Sequence, residues 1–397
     1  MLYADDSTLI SASREGLQDL LDCLHDYCSK WGLFVNVEKT KVVVFRKGGR
    51  LSQNDSWFYG DINLEVVDVI NYLGIHLSYT GKFLRTQSNL ADRGLRALYA
   101  LQRNLHELVN PNSDMICRLF DKLVTPVMLY ACEIWGFHAS LAIERVHLRF
   151  CKWLLKVNNA TTNEMIYGEL GRFPMIISRK IKIIKYWVKI VCGKSCILVK
   201  EIYSVLFNAT LINIHVVNWA SFVKKLINNL GFGEVWTRQT VENERNFINL
   251  CTQRLRDQFI QEWFANINNR PSCRLYKELH VTFNFSEYMN IIMPHKHKIC
   301  LTKFRTRNHR LPIVLLGRGQ KRLQYNERLC TDCGVIGDEY HCLFECKITE
   351  PFRNILPRYH VTRPNMFKLI SLLTSSHAPT VRKLAKFLYL TTLLYNE

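Results

Sequence analysis

LYADDSTLISAS, residues 2–13, is the stretch on which the reading of the fold turns. LYAD and STLISA read as two short strands around a tight turn at Asp5 and Asp6. Side chains alternate along a strand, so such a hairpin projects both carboxylates into one cleft. Clustered carboxylates call for cations. Two Mg²⁺ ions held by aspartates and substrate phosphates support in-line phosphoryl or nucleotidyl transfer. By itself the acidic pair is a weak signal, because Asp favours solvated turns for the sake of its own backbone hydrogen bonds. The segments C-terminal to the pair decide between a metal site and a solvated turn.

Leu17, Leu20, Leu21, Leu24, Cys28 and Trp31 recur at three and four, which predicts a helix over residues 15–31. KVVVF (41–45) is β-branched and reads as a strand. WFYGDINLEVV (57–67) reads as a hairpin turning at Gly60–Asp61, and VINYLGIHL (69–77) as a further strand. From Lys82 to about Asn266 the periods are helical. The segments at 90–105, 115–135, 143–157 and 177–191 are the clearest, and Pro126 predicts a break inside the second. On the last of these, Arg179, Lys182, Lys185 and Lys189 recur as a basic stripe opposite Ile183, Ile184 and Trp187.

The 397 residues support a buried core and two or three domains. With 53 Lys and Arg against 34 Asp and Glu, the formal charge is +19, a balance that calls for a polyanion, most simply nucleic acid. No apolar run approaches the roughly 20 residues of a membrane span, and the acidic pair falls where a signal peptide would be apolar. Fourteen cysteines without a secretion signal point to reduced thiols or metal ligands.

The order of elements carries a resemblance. Tyr3-Ala4-Asp5-Asp6, a helix, then Gly32, Leu33, Asn36, Lys39 and Thr40 before a strand, and Tyr72-Leu73-Gly74 later, resembles the C-terminal part of the palm of reverse transcriptases. More narrowly it is similar to those of non-LTR (LINE-type) retrotransposons. Residues 119–136, 143–157 and 166–175 resemble the thumb and connector of the same group. The resemblance implies an α+β chain: a partial palm of antiparallel sheet plus helix (1–80), a helical thumb-like domain (81–160), a helical connector (161–294) and a basic C-terminal region with a zinc knuckle (295–397). It also implies that Asp5 ligates catalytic Mg²⁺ with Asp6 beside it, and that Lys39 lies near the incoming nucleotide's phosphates. Tyr72, Leu73 and Gly74 fall at the primer's 3′ end. An RNA template and a DNA primer or target are the implied partners, inside the cell, in cytoplasm or nucleus, with no membrane. In the family another aspartate earlier in the chain completes the metal site. Only three residues precede Ala4 here, so the Mg²⁺ site is expected to be incomplete and polymerisation lost. The competing reading is a non-catalytic RNA- or DNA-binding zinc-knuckle protein.

RLCTDCGVIGDEYHCLFEC (328–346) supplies that knuckle. Cys330-x2-Cys333-x7-His341-x4-Cys346 can set four soft ligands tetrahedrally around a structural Zn²⁺ with no open position. Cys342 competes for the fourth place but is adjacent to His341, so it would point about 100° away on a helix. Residues 295–330 hold ten Lys and Arg and one acid, Glu327. With aromatic neighbours interleaved, Lys303, Arg305, Arg307, Arg310, Arg318, Lys321 and Arg322, together with Lys182, Lys185 and Lys189, are the candidate phosphate contacts.

Overall fold

The computed structural model describes residues 2–46, 48–52, 55–105, 112–213, 215–318 and 322–394. The chain is helix-dominant with short strands, and it divides into two units, Met1–Leu90 and Ala91–Glu397.

The first unit is built on the Arg14–Trp31 helix. Ser13 caps its N-terminus by accepting from the Gly16 N–H at 3.0 Å. Gly32 ends it in the left-handed region (φ 63°), which lets the Leu33 N–H reach back to the Cys28 carbonyl at 2.9 Å. One face packs on the hairpin Phe58–Tyr59/Ile62–Asn63, which turns at Gly60–Asp61 as its sequence predicts. Gln18 clamps that edge twice: its amide donates to the Phe58 carbonyl and accepts from the Phe58 N–H, each at 2.9 Å. Leu21, Val42, Trp57 and Leu64 form the core, with Leu9 and Val37 against them.

The strand pairing differs from the expected sheet. The described residues form four separate two-stranded ladders. One is parallel, Lys41–Val42 beside Glu65–Val66, and is braced by a Lys41–Glu65 ion pair at 2.5 Å. KVVVF pairs only over its first two residues, since the chain then bends to let the Arg46 N–H bond the Tyr79 carbonyl. VINYLGIHL is not one strand but a hairpin, Val69–Tyr72 with Ile75–Ser78. Leu73 (φ 48°) and Gly74 (φ 80°) both turn left-handed there, the backbone of a tight two-residue loop.

In the second unit the Met175–Val191 helix is central. Ile183, Ile184, Trp187 and Val188 are buried against Val223, Ile227, Trp236, Phe247 and Leu255 of the following helices. Pro126 breaks the preceding segment, which forms three short helices, Ser113–Leu123, Thr125–Met128 and Cys132–Trp135. Further on, the His295–Arg305 helix packs along Ala378–Leu394.

Residues 166–175 form a packed junction in this unit. Tyr167 and the Met175 N–H donate to Glu144, at 2.8 Å each. Arg172 bridges His147 (3.0 Å) and Asp121 (2.5 Å). Glu169 is fully buried and meets Arg305 and His280, each at 3.1 Å. Gly171 has φ 56°, and a Cβ there would stand 2.6 Å from the Phe285 backbone nitrogen. Gly171→Ala is therefore expected to cost roughly 2–4 kcal/mol, adding a backbone clash to the left-handed penalty. Gly193→Ala, also at positive φ (76°) but with only the Lys200 Nζ within 4 Å, is the control and should cost about 1–2 kcal/mol. Denaturant melts of the two variants check the difference.

Candidate zinc centre and nucleic-acid interface

The YADD hairpin forms, with Tyr3 opposite Asp6 and Leu2 opposite Ser7. Its turn lies one residue earlier than expected, with Ala4 at φ 54°, so Asp6 sits in the returning strand. Asp5 and Asp6 are exposed, and this ladder pairs with no other strand among the described residues. No third His, Cys, Asp or Glu gathers with them among those residues. Two exposed carboxylates do not make a Mg²⁺ site, which needs near-octahedral oxygen donors held in place.

Lys39 is exposed in a turn knotted by Asn36. The Asn36 side chain accepts from the Lys39 N–H at 3.1 Å, and its carbonyl accepts from the Thr40 N–H at 3.0 Å and the Thr40 hydroxyl at 2.9 Å. The Asn-x-x-Lys-Thr spacing is thus the spacing of a turn. Lys39 makes no ion pair with Asp5 or Asp6 among the described residues. Leu73 and Gly74 form the hairpin turn described above, and Tyr72 ends the strand before it, paired with Ile75.

The C-terminal set converges. One donor atom from each of Cys330, Cys333, His341 and Cys346 lies within 4.8 Å of all the others, and the Cys330 and Cys346 sulfurs are 3.9 Å apart. Zinc–sulfur bonds of about 2.3 Å in a tetrahedron set sulfur–sulfur edges near ~3.8 Å. Local backbone builds this. Gly334 (φ 67°) closes the knuckle, donating its N–H to the Cys330 carbonyl at 2.9 Å, and the Cys330 N–H bonds the Val335 carbonyl at 2.7 Å. Asp338 caps the Glu339–Phe344 helix through the His341 N–H, which fixes the imidazole's position. Both ring nitrogens of His341 are buried with no hydrogen-bond partner. The Glu345 carboxylate stands 3.6 Å from Nδ1, beyond hydrogen-bond reach. Burying imidazole nitrogens without hydrogen bonds is costly, and a metal ion beside the thiols would remove that cost for the nitrogen it takes. The Lys347 N–H lies 3.5 Å from the Cys333 sulfur, a contact suited to a thiolate. The donor set therefore fits zinc. Cys342 is buried outside the group, as its adjacency to His341 predicts.

The basic residues separate into distinct environments. Arg305 belongs to the core: it is 4% exposed, ion-paired to Glu169, and donates to the Leu373 carbonyl, so it is not available to a phosphate. Arg179 is likewise buried, donating to the His138 carbonyl at 2.8 Å, because its position on the helix faces Trp135. Lys182 is half-buried near Glu133, leaving Lys185 and Lys189 exposed on that stripe. Lys303 and Arg310 line a cavity of about 410 Å³. Arg307, Arg318 and Arg322 line a larger cleft of about 970 Å³. Lys321 lies outside the described residues. Sequence reasoning missed the cleft's opposite wall, Arg270, Arg274 and Lys277. Their spacing of four and three around Pro271 was the available signal, in a stretch otherwise without motif.

Residues 1–77 match the family model for reverse transcriptase (RNA-dependent DNA polymerase). A putative uncharacterized transposon-derived protein of Caenorhabditis elegans is 29% identical over 187 residues, 45% of this chain and 63% of that one. A probable RNA-directed DNA polymerase from transposon BS of Drosophila melanogaster is 28% identical over 37% of this chain and 17% of its own length. The RNA-directed DNA polymerase from mobile element jockey of the same fly is 22% identical over 40% and 18%. The chain is thus related to the reverse transcriptases of non-LTR, LINE-type retrotransposons. It spans under two thirds of the first of these relatives and under a fifth of the polymerases. No solved structure matches it.

Proposed function

We propose that this chain binds nucleic acid as part of a non-LTR retrotransposon reverse transcriptase and does not polymerise by itself. The observation that carries the reading is the four-donor Cys/His set standing beside an arginine-lined cleft. Zinc bound there supplies cross-linking and no open coordination site. It would hold residues 324–339 as a fixed edge of the cleft, and the formal charge of +19 supplies the attraction for phosphates.

In this reading Asp5 is a metal ligand of the assembled polymerase and Asp6 supports it. Lys39 faces nucleotide phosphates and Tyr72-Leu73-Gly74 the primer end. Those roles require a further acidic wall, since the YADD pair gathers no third donor among the described residues.

Fluorescence anisotropy of the zinc-loaded chain with a labelled single-stranded RNA tests the binding. The logarithm of affinity is expected to fall with the logarithm of salt at a slope of roughly −2 to −4, the mark of several phosphate contacts. Weak binding with a flat slope contradicts the proposal.

A further inference from the structure

The cleft of about 970 Å³ has two walls that come from segments far apart in the chain, both within the second unit. One wall follows the long Glu244–Asn269 helix and carries Arg270, Arg274 and Lys277. The other carries Arg307, Arg318 and Arg322. Arg318 and Arg322 are exposed and make no ion pair among the described residues. Arg307 sits at φ 54°, a left-handed conformation rare for a non-glycine side chain. It ends the His295–Arg305 helix by letting the Asn308 N–H bond the Lys303 carbonyl at 2.7 Å. Its guanidinium is pulled below its ordinary range by burial and by the nearby Arg328 and Arg318, while Glu339 opposes the shift, so positive charge is crowded inside the cleft.

Between the walls the Arg274 guanidinium lies over the Tyr325 ring, 4.7 Å from its centroid. Asp338, 3.5 Å away, steers that guanidinium without burying it; the Arg274 side chain is 59% exposed. A planar cation lying over an aromatic ring can take a further flat group on its other side, and a nucleobase is the flat group that comes with phosphates attached. The volume is of the scale of pockets that enclose small ligands, about 300–1,000 Å³. A volume of that scale suits an unpaired backbone with a few bases.

We infer that this cleft is a binding site for single-stranded nucleic acid, with Arg270, Arg274 and Lys277 and the facing Arg307, Arg318 and Arg322 tracking phosphates and the Arg274–Tyr325 pair stacking a base. The inference rests on the nucleic-acid-binding reading above and assigns it to one place and one strand state.

The test compares three zinc-loaded full-length chains in anisotropy titrations with single-stranded RNA, single-stranded DNA and duplex RNA of matched length. They are the wild type, Arg270→Gln/Arg274→Gln/Lys277→Gln, and the charge control Lys383→Gln/Lys386→Gln. The control pair is exposed on the Ala378–Leu394 helix and outside the cleft. Losing three single-strand phosphate contacts should weaken binding about 50-fold at 0.15 M salt and flatten the salt slope by about 2. The control should change affinity less than threefold. If the triple variant loses zinc or fails to fold, Lys277→Gln/Arg322→Gln replaces it, with about a tenfold loss expected. Equal loss in the control, no loss in either cleft variant, or duplex binding as tight as single-strand binding overturns the inference while leaving the general reading in place. No binding by the wild type overturns both. Comparing RNA with DNA identifies which strand fits, and a preference either way supports the site.

Discussion

Cys330→Ser is expected to strip the zinc and loosen the C-terminal knuckle. Structural zinc contributes roughly 10–16 kcal/mol of apparent binding free energy in small zinc modules, where it is also folding free energy. Removing one of four ligands should lower zinc affinity by more than the roughly 10–100-fold that losing an outer partner costs. The consequences reach outward from the site. Asp338 both caps the His341 helix and pairs with Arg274, and Glu339 is held 3.0 Å from His309, so the knuckle's backbone anchors one edge of the basic cleft. Metal content of the purified variant and its single-stranded RNA affinity should fall together. Cys342→Ala is the informative partner, because that thiol is buried beside the set without belonging to it. It should keep one equivalent of zinc despite some loss of stability. If Cys342→Ala loses the metal and Cys330→Ser keeps it, the ligand assignment is wrong.

Glu169→Gln should have the next largest effect. Burial by itself would raise this carboxyl, but Arg305 and His280 outweigh it and bring it down to about 2. Breaking a buried ion pair by neutralising one partner leaves the other charge uncompensated, at a cost of roughly 3–5 kcal/mol. The pH dependence has a definite sign. The carboxyl is depressed in the folded state, so its contribution is complete above the unfolded value of 4.5 and disappears as pH falls towards 2. The shift is worth about 3 kcal/mol. The difference in unfolding free energy between wild type and Glu169→Gln should therefore be full at pH 7 and should close between pH 4.5 and pH 2. A difference that persists unchanged below pH 2.5 would show that Glu169 acts through packing alone.

How much was legible in the sequence depends on the range of the interactions involved. The Arg14–Trp31 helix, the turn at Gly60–Asp61 and the break at Pro126 rest on neighbours a few residues apart, and each appears where its local signal predicts. The Cys/His set was legible for the same reason, since its four members span only 17 residues. The Arg305 environment was not. Its partner Glu169 is 136 residues away, and nothing in a run of basic residues marks the one that turns inward. Arg179 misled in the same way: a three-to-four stripe does not say how far round the helix the core extends. Leu73 in a left-handed turn was also hidden, because leucine has no preference for that backbone and only the facing strand residues impose it. Arg270, Arg274 and Lys277 needed the fold itself to bring them into one cleft with Arg307, Arg318 and Arg322.

The central claim is that the chain holds nucleic acid without extending it. The most direct measurement is Mg²⁺-dependent nucleotide incorporation by the zinc-loaded full-length chain on a primed RNA template, at protein concentrations that saturate binding. No extension above background is predicted. Extension that requires Mg²⁺ and vanishes in Asp5→Ala would contradict the account, since the exposed hairpin carboxylates would then be half of a working metal site.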